Sequence, residues 1–366
     1  MQIPLVDLKI QYRLLKEEID ESIEQVLTTA NFIKGQQVKE FERLFADFCS
    51  ADYCIAVSNG TDAIYLALKT LGVGLGDEVI TVPNTFIATT EAISMAGADV
   101  VFCDIDRNTY TINAETLEEF ITPNTKALIP VHLYGCPCDM DQVLKIAKQH
   151  GLHVVGDAAQ AHGAEYKGKD VSFYTDVSTY SFFPGKNLGA YGDGGAVLTN
   201  NAELGQKIRL LADHGRTEKY EHIIEGTNSR LDTIQAAVLN VKIKYLDSWN
   251  NARRNIAATY NKLFQDFGHA KPQHIPDGYE SVYHLYVLEV EKRDELLSYL
   301  REQGISAGIH YPISLPFQKA YHHLNCRQRF QYVQDIADRL ISLPIFPEMT
   351  EEQVKYVIQK VKEFYK

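Results

Sequence analysis

The chain has 366 residues, of which 45% are hydrophobic and 23% charged, and its 36 basic and 48 acidic residues give a net charge of -12. This length suffices for a substantial core and favours one large and one smaller domain. The acidic balance argues against a nucleic-acid partner or an anionic membrane surface, so any phosphate site must be local.

The N-terminal residues 1–8 lack the basic and apolar regions of a signal peptide, and no later apolar run approaches the length of a membrane span. We therefore expect a cytoplasmic protein without membrane contact. The six cysteines lie mostly in apolar runs, which suits reduced, buried thiols better than a disulfide framework. His132, Cys136 and Cys138 lack the paired spacing of a zinc site, so no metal is expected.

Two amphipathic helices are predicted first, because apolar residues recur at helical spacing over residues 15–26 and 38–48. A strand at 54–57 then leads through the polar turn 58–62 into a helix at 63–71. Exposed N–H groups at a helix N-terminus can hold an anion without any basic side chain, but Ser, Asn, Thr and Asp are also common helix caps. Taken alone, this turn leaves a phosphate site and a capped surface helix equally open.

The strand-then-helix order continues as far as Asp157. Strands are predicted at 79–82, 100–103, 127–133 and 153–157, and helices at 86–96, 115–120 and 140–150. This alternation indicates a largely parallel sheet with helices on both faces. Ligands bind at the carboxyl ends of such strands, where Asp157 and the aromatic ring of Phe86 are placed. Ordinary core packing remains the alternative for Phe86.

The stretch 179–196 contains Lys186 among aromatic, glycine and small residues. A lysine in such surroundings is partly desolvated, which lowers the pKa of its ammonium group and frees the lone pair for attack on a carbonyl. Taken alone, the residue is better interpreted as a surface lysine on a glycine loop, because short motifs match by accident. A lysine for a Schiff base and an aspartate for a pyridinium nitrogen form the pair that pyridoxal phosphate (PLP) chemistry requires. Lys186 and Asp157 are the candidates for that pair.

Polar loops follow at 214–222 and 228–232, and their density of polar side chains suits ligand contact, although a solvated loop is the simpler interpretation. Helical runs reach residue 264, and the last hundred residues combine strands at 283–290 and 341–346 with a helix at 293–303. This mixture, with prolines in its connections, is typical of a smaller α+β domain. We therefore predict a large domain over 1–248 and a small domain over 249–366.

Three motifs carry a resemblance to a known family: Asp157 with Gln160, Ser181 with Lys186, and Lys-Tyr-x-His at 219–222 followed by Asn-Ser-Arg-Leu-Asp at 228–232. Together they resemble the PLP-dependent nucleotide-sugar aminotransferases of fold type I, the DegT/StrS-like family. The resemblance runs along essentially the whole chain. It implies an α/β fold type I transferase, with a mostly parallel sheet between helices and a smaller C-terminal α+β domain, and it implies PLP as the cofactor.

The resemblance also implies roles for individual residues. Lys186 would bind PLP covalently and move a proton, Asp157 would keep the ring nitrogen protonated, and Gln160 would bond the ring hydroxyl. The family also implies a homodimer whose active sites are shared between subunits. The remaining implied contacts are a stacking ring (Phe86), phosphate ligands (Gly60, Thr61, Ser181 and, from the neighbouring subunit, Asn228) and sugar contacts (Lys219, Tyr220, His310, Tyr311).

The N-terminal sequence, the Lys219-Tyr220 pair and the His310-Tyr311-Pro312 loop are most similar to members that aminate C3 of a dTDP-linked 3-keto-6-deoxyhexose. L-Glutamate would be the amino donor, and the product would enter glycan biosynthesis. One departure is Phe183, where the family often has a tyrosine whose hydroxyl could touch the sugar. A C4 aminotransferase of a dTDP- or UDP-linked 4-keto sugar and a UDP-3-keto sugar aminotransferase remain alternatives.

Other classes of protein are less consistent with the sequence. A non-catalytic regulatory protein of the same fold would be expected to lose Lys186 or Asp157, and both are present. A nicotinamide-dependent enzyme needs Gly-x-Gly-x-x-Gly directly after an early strand, whereas the glycines at 72, 74 and 76 follow a predicted helix and have a different spacing. The PLP-dependent sugar dehydratases replace the lysine with histidine, which Lys186 excludes.

Overall fold

The computed structural model describes residues 1–366, and its helices and strands alternate over the first half of the chain. The helices are α1 (Leu8–Thr29), α2 (Gln36–Cys49), α3 (Gly60–Thr70), α4 (Ala88–Ala96), α5 (Met140–His150), α6 (Ala202–Ala212), α7 (Thr233–Lys242), α8 (Leu246–Phe264), α9 (Arg293–Glu302), α10 (Gln331–Ala337) and α11 (Glu351–Phe364). None of them combines the length and apolar character needed to cross a bilayer.

The strands fall into one large and several small sheets. They are β1 (Tyr53–Val57), β2 (Glu78–Thr81), β3 (Asp99–Phe102), β4 (Thr125–Leu128), β5 (His153–Asp157), β6 (Glu165–Tyr166), β7 (Lys169–Asp170), β8 (Val177–Ser181), β9 (Gly195–Thr199), β10 (Arg216–Glu218), β11 (Glu221–His222), β12 (Ala270–Pro272), β13 (Tyr279–Glu280), β14 (Tyr286–Val290) and β15 (Leu340–Leu343).

The central sheet has seven strands in the order β1-β9-β8-β5-β4-β2-β3. Strand β9 runs antiparallel to both of its neighbours, and all other pairs in the sheet are parallel. All five residues of β9 are buried, as expected for a strand covered on both faces by helices. The prediction of a mainly parallel α/β sheet is confirmed.

Several predicted boundaries differ from the structure. The helix expected at 115–120 is a short 3-10 helix, Leu117–Phe120, and the strand expected at 127–133 ends at Leu128. Beyond Leu128 the pairing continues only as an isolated parallel bridge between Val131 and Asp157, and the chain then enters a second 3-10 turn at Leu133–Gly135. The apolar residues of this stretch are buried although they are not part of a strand. Apolar runs alone cannot separate a buried strand from the buried turn that follows it.

A second apolar core lies around the three-stranded sheet β12-β14-β15, which packs with helices α8, α9 and α11. The N-terminal residue Ile3 belongs to this core and forms a parallel bridge with Ile305. The first residues of the chain therefore pack against its last third. The predicted division between residues 248 and 249 lies inside α8 and stays a prediction.

Candidate active site

A cavity of about 530 Å³ lies at the carboxyl ends of β5 and β8, where Asp157 and Ser181 end their strands. Its volume is in the range of small-molecule sites. Nine of the twelve residues singled out from the sequence line this cavity: Gly60, Thr61, Phe86, Asp157, Gln160, Ser181, Lys186, His310 and Tyr311.

Asp157 is 5% exposed and is held by two donors. The Thr89 hydroxyl donates to one carboxylate oxygen at 2.7 Å, and the backbone N–H of Ala159 donates to the other at 3.2 Å. Burial raises the pKa of Asp157, while these two hydrogen bonds and the charge of Lys186 oppose the rise. The carboxylate is thus fixed in direction and presented to the cavity.

Lys186 lies in a tight loop between β8 and β9. Its backbone N–H donates to the Phe183 carbonyl at 2.9 Å. A Cβ added at Gly189 would meet the Pro184 carbonyl oxygen at 2.3 Å, so only glycine permits this closure. Burial lowers the pKa of Lys186 to about 8, and the charge of Asp157 opposes the shift. A fraction of the side chain is therefore uncharged near neutral pH.

Buried polar side chains anchor the loop from behind. Asn187 is 3% exposed and donates to the Asn250 side-chain oxygen at 3.0 Å and to the Val282 carbonyl at 3.1 Å. The Lys242 ammonium donates to the Gly189 carbonyl at 2.7 Å. These bonds attach the residues that directly follow Lys186 to helices α7 and α8, which fixes the backbone from which the lysine side chain extends.

Gly60 opens helix α3 directly against Ser181. A Cβ added at Gly60 would lie 2.8 Å from the Ser181 Cβ, so the helix start and the end of β8 approach as closely as a glycine allows. Asn59 caps the helix by accepting from the Asp62 N–H at 2.8 Å. The remaining free N–H groups of the first turn, with the Thr61 and Ser181 hydroxyls, form a neutral donor set suited to a phosphate.

Gln160 connects the cavity floor to the loop carrying His310 and Tyr311. Its side-chain oxygen accepts from the Tyr134 N–H at 2.7 Å, and its amide nitrogen donates to the Tyr311 hydroxyl at 3.2 Å. The Tyr311 ring lies 5.7 Å from that of Phe86. Phe86 is 54% exposed, so it is a ring open to the cavity rather than a core side chain.

Three predicted site residues lie elsewhere. Lys219 and Tyr220 occupy the turn of the β10–β11 ribbon, where Tyr220 is 84% exposed. Asn228 is also exposed, and its backbone pairs with that of Asp213. None of the three lines the cavity of its own chain.

Sequence reasoning missed Thr89, Arg253 and His284. Thr89 follows Phe86 by three residues and belongs to no recognisable motif, although its hydroxyl bonds Asp157. Arg253 and His284 come from the last third of the chain and also line the cavity. The available signal for Arg253 was a charged residue at an apolar position of helix α8. His284 stands at the start of a predicted strand, where its orientation could not be inferred.

The DegT/DnrJ/EryC1/StrS aminotransferase family model matches residues 13–362. The chain belongs to this family. One relative is the "Pleiotropic regulatory protein" of Geobacillus stearothermophilus, which is 46% identical over 100% of this chain and 99% of the relative. The "dTDP-3-amino-3,6-dideoxy-alpha-D-galactopyranose transaminase" of Aneurinibacillus thermoaerophilus is 44% identical over 99% of both chains. The crystal structure of S. venezuelae DesV superposes with a TM-score of 0.97 and 40% identity, covering 99% of this chain and 98% of that one.

Members of the family are PLP-dependent aminotransferases, as this chain is. The cavity fits that cofactor on its own chemistry. It offers one amine, one buried carboxylate held by two donors, an open aromatic ring and a neutral donor set where Gly60 meets Ser181. These groups match the carbonyl, ring nitrogen, ring face and phosphate of PLP.

Proposed function

We propose that the chain transfers the amino group of L-glutamate to the C3 ketone of a dTDP-linked 3-keto-6-deoxyhexose. The product would be a dTDP-3-amino-3,6-dideoxyhexose for glycan biosynthesis. The observation that carries the reaction type is the presence of Lys186 and Asp157 in one cavity, each held by neighbouring groups. The position of amination is supported by the name of the Aneurinibacillus thermoaerophilus relative.

PLP, when bound, supplies an electron sink that stabilises negative charge at the donor's Cα. Lys186 would hold the cofactor carbonyl and, once released, would take the proton from Cα, which its lowered pKa of about 8 permits near neutral pH. Asp157 would face the ring nitrogen, and its bonds from Thr89 and Ala159 keep it in position. Gln160 would bond the ring hydroxyl, and Phe86 would cover one ring face.

The sugar would bind at the open side of the cavity. Leu5, Phe86 and Phe183 give this side an apolar surface, and Phe183 is 57% exposed. An apolar surface suits a sugar that has lost its 6-hydroxyl. Burial lowers the pKa of His310 to about 4, with the charge of Lys186 adding to the shift, so its ring is neutral and can accept from a sugar hydroxyl. A C4 ketone or a UDP-linked sugar would fit the same surface and remains the alternative.

The exposed positions of Lys219, Tyr220 and Asn228 support the further proposal of a homodimer with shared sites. These residues lie outside the cavity of their own chain, on and beside a ribbon whose neighbours Ile223 and Ile224 are also exposed. A symmetric dimer would bury this ribbon against the partner and bring the three side chains to the partner's cavity. Asn228 would then reach the cofactor phosphate.

The test is a substrate panel in which dTDP- and UDP-linked sugars with 3-keto or 4-keto groups are incubated with the PLP-loaded protein and L-glutamate. We expect the dTDP-linked 3-keto sugar to be turned over, and NMR of the product should show the new amino group at C3. Amination at C4, or faster turnover of the UDP sugar, would replace the proposed substrate.

A second candidate is a regulatory protein, because that word names the Geobacillus stearothermophilus relative. Retention of Lys186 and Asp157 favours catalysis, since neither is needed for a purely structural role. Absence of turnover on the whole panel, together with absence of a donor reaction in the cofactor spectrum, would favour the regulatory alternative.

A further inference from the structure

Gln160 is a buried amide whose orientation in the cavity is fixed by a backbone donor. It is 6% exposed and lines the cavity. The Tyr134 N–H donates to its side-chain oxygen at 2.7 Å. Because a backbone N–H can only donate, the Gln160 atom that faces it must be the oxygen, and the amide nitrogen therefore points the other way. The two ends of this side chain are not interchangeable.

Tyr311 accepts one of the two hydrogens of that amide nitrogen. The Gln160 nitrogen donates to the Tyr311 hydroxyl oxygen at 3.2 Å. The chain supplies no acceptor for the second hydrogen, so one N–H of Gln160 is left for a ligand in the cavity. A buried donor without an acceptor costs free energy, and a ligand that brings an acceptor to this place removes that cost.

The loop that carries Tyr311 holds its hydroxyl in place. The Tyr134 hydroxyl donates to the His310 carbonyl, and the His310 Nδ1 lies 2.8 Å from the Ser342 hydroxyl. Tyr134 has a left-handed backbone with a φ of 62° and is 1% exposed. Such a backbone is unfavourable for a bulky side chain and persists where the surrounding contacts require it. Tyr134 therefore joins both parts, since its N–H holds Gln160 and its hydroxyl holds the residue before Tyr311.

We propose that Tyr311 is a positioning residue that aims the free N–H of Gln160 at the ring hydroxyl of PLP. Without Tyr311 the amide would be held at its oxygen alone, and its N–H could tilt away from the line to the ring oxygen. The family resemblance implies a sugar contact for Tyr311, whereas its bond to Gln160 gives it a role before any sugar binds. The inference rests on the proposed function only for the bond between Gln160 and the ring hydroxyl.

The expected consequence is a shift in the pH-dependent absorbance of the bound cofactor. A donor aimed at the ring oxygen stabilises the form in which that oxygen carries the most negative charge, which is the deprotonated form. Weakening this donor should therefore raise the pH at which the absorbance changes. A shift of about 0.5 pH unit corresponds to about a threefold change in the equilibrium constant.

The first experiment titrates the absorbance of the PLP-loaded protein in four forms: unmodified, Tyr311→Phe, Gln160→Leu and the double variant. We expect Tyr311→Phe to raise the transition by about 0.5 pH unit or more, and Gln160→Leu to raise it further. The double variant should resemble Gln160→Leu, because a tyrosine that acts through Gln160 has no effect once that amide is gone. Shifts that add in the double variant, or no shift in Tyr311→Phe, would overturn the proposal.

Tyr260→Phe is the matched control. Tyr260 is buried in the second core, and its hydroxyl donates to the Pro344 carbonyl at 2.9 Å. This variant should lose thermal stability and keep the absorbance transition of the unmodified protein. If Tyr311→Phe does not fold, Tyr134→Phe takes its place, because it releases the His310 carbonyl and keeps the Tyr134 N–H. It should shift the transition in the same direction, and an unmoved transition would overturn the proposal.

A binding measurement separates the ring hydroxyl from the rest of the cofactor. Equilibrium dialysis gives the affinity for PLP and for an analogue of PLP that lacks the ring hydroxyl. The unmodified protein should prefer PLP, and this preference should fall about threefold or more in Tyr311→Phe, because only PLP meets the Gln160 N–H. Tyr260→Phe should keep the preference. An unchanged preference in Tyr311→Phe would contradict a role of Tyr311 in aiming that N–H.

The reaction with L-glutamate alone distinguishes this role from a sugar contact. Without sugar, Tyr311→Phe should convert the cofactor about threefold or more slowly than the unmodified protein, because hydrogen bonds to the ring tune the cofactor. A tyrosine that only touches the sugar would slow the return step alone, and that result would overturn the proposal.

The Gln160 variant shows which assignment has failed. If Gln160→Leu retains the full preference for PLP over the analogue, Gln160 does not bond the ring hydroxyl, and that part of the proposed function falls together with the inference. If Gln160→Leu loses the preference and Tyr311→Phe retains it, only the inference about Tyr311 falls. Failure of the sugar panel alone would leave these results intact.

Discussion

The hydrogen bond from Thr89 to Asp157 provides a direct test of the proposed electron-sink site. Thr89→Val keeps the side-chain shape and removes the hydroxyl, which in the structure donates to the Asp157 carboxylate at 2.7 Å and contacts the Thr85 hydroxyl at 3.0 Å. Thr89 is 1% exposed, so water cannot readily replace the lost donor. Asp157 would retain only the Ala159 N–H.

The magnitude follows from the type of bond. A hydrogen bond to a charged group contributes about 1.5–3 kcal/mol, and about 1.4 kcal/mol corresponds to a factor of ten in rate, so turnover should fall roughly 10- to 100-fold. Asp157→Asn sets the upper limit: it should retain cofactor but lose more than about a hundredfold, since a neutral amide cannot hold the ring nitrogen protonated.

The change should also shift the pH dependence. Burial raises the pKa of Asp157, and the Thr89 bond opposes this rise, so removing the bond should raise the pKa further. Because the ionised carboxylate is the active form, the acidic limb of the pH–rate profile should move to higher pH. This direction separates a change at Asp157 from a general loss of stability.

The assay is the half-reaction with L-glutamate, followed in the cofactor spectrum across a pH series. Thr90→Val is the matched control, because Thr90 is also buried in α4 but makes no hydrogen bond to Asp157. Its hydroxyl donates to the Ile87 carbonyl and accepts from the Tyr321 hydroxyl. It should lose thermal stability while keeping its pH profile. A Thr89→Val protein with normal turnover and an unmoved acidic limb would refute the assignment of Asp157.

Three further outcomes are expected. Borohydride treatment of the PLP-loaded protein should fix the cofactor on Lys186, and mass spectrometry finding it on another lysine would contradict the assignment. Mixing Lys186→Ala with Asn228→Ala proteins should restore turnover, because one site of each mixed dimer would then be intact. If mass spectrometry confirms subunit exchange and turnover does not recover, Asn228 does not belong to a shared site. Burial would raise the pKa of Asp213, but Lys34 and Arg216 outweigh it and lower the pKa to about 2. Asp213→Asn should therefore reduce Tm at neutral pH, and the deficit should shrink as pH falls below about 4, where the unfolded carboxyl is protonated; a deficit independent of pH would contradict the ion-pair account.

The central sheet could be predicted from the sequence because its strands are continuous apolar runs closed by polar residues. Asp157, which ends β5, is such a residue, and its position at the carboxyl edge follows from the parallel alternation alone. The antiparallel setting of β9 could not be obtained this way. Strand β9 is buried on both faces like a parallel strand, so its hydrophobic pattern does not reveal its direction. The chain returns from the Lys186 loop to pair antiparallel with β8, and hydrophobic periodicity does not predict such a hairpin.

The cavity residues that lie at a strand end or in the turn that follows it could be predicted from the sequence. Gly60, Asp157 and Lys186 belong to short local motifs whose residue types and spacing indicate a chemical role. The placement of Lys219, Tyr220 and Asn228 is different, since a single chain brings none of them to its own cavity. Their predicted roles depend on a second chain, and no local pattern in one sequence states where a partner lies.

Helix α8 shows what signal remained in the sequence. Its buried face is formed by Leu246, Asn250, Arg253, Ile256, Ala257, Tyr260 and Phe264, an apolar stripe interrupted by two polar residues. Asn250 holds the Lys186 loop through Asn187, and Arg253 faces the cavity. Arg254, one position on, lies off the stripe and pairs with Glu280 at the surface. Since burying an amide or a guanidinium costs free energy that apolar packing does not return, a polar residue on such a stripe indicates a partner elsewhere in the molecule or in its ligand.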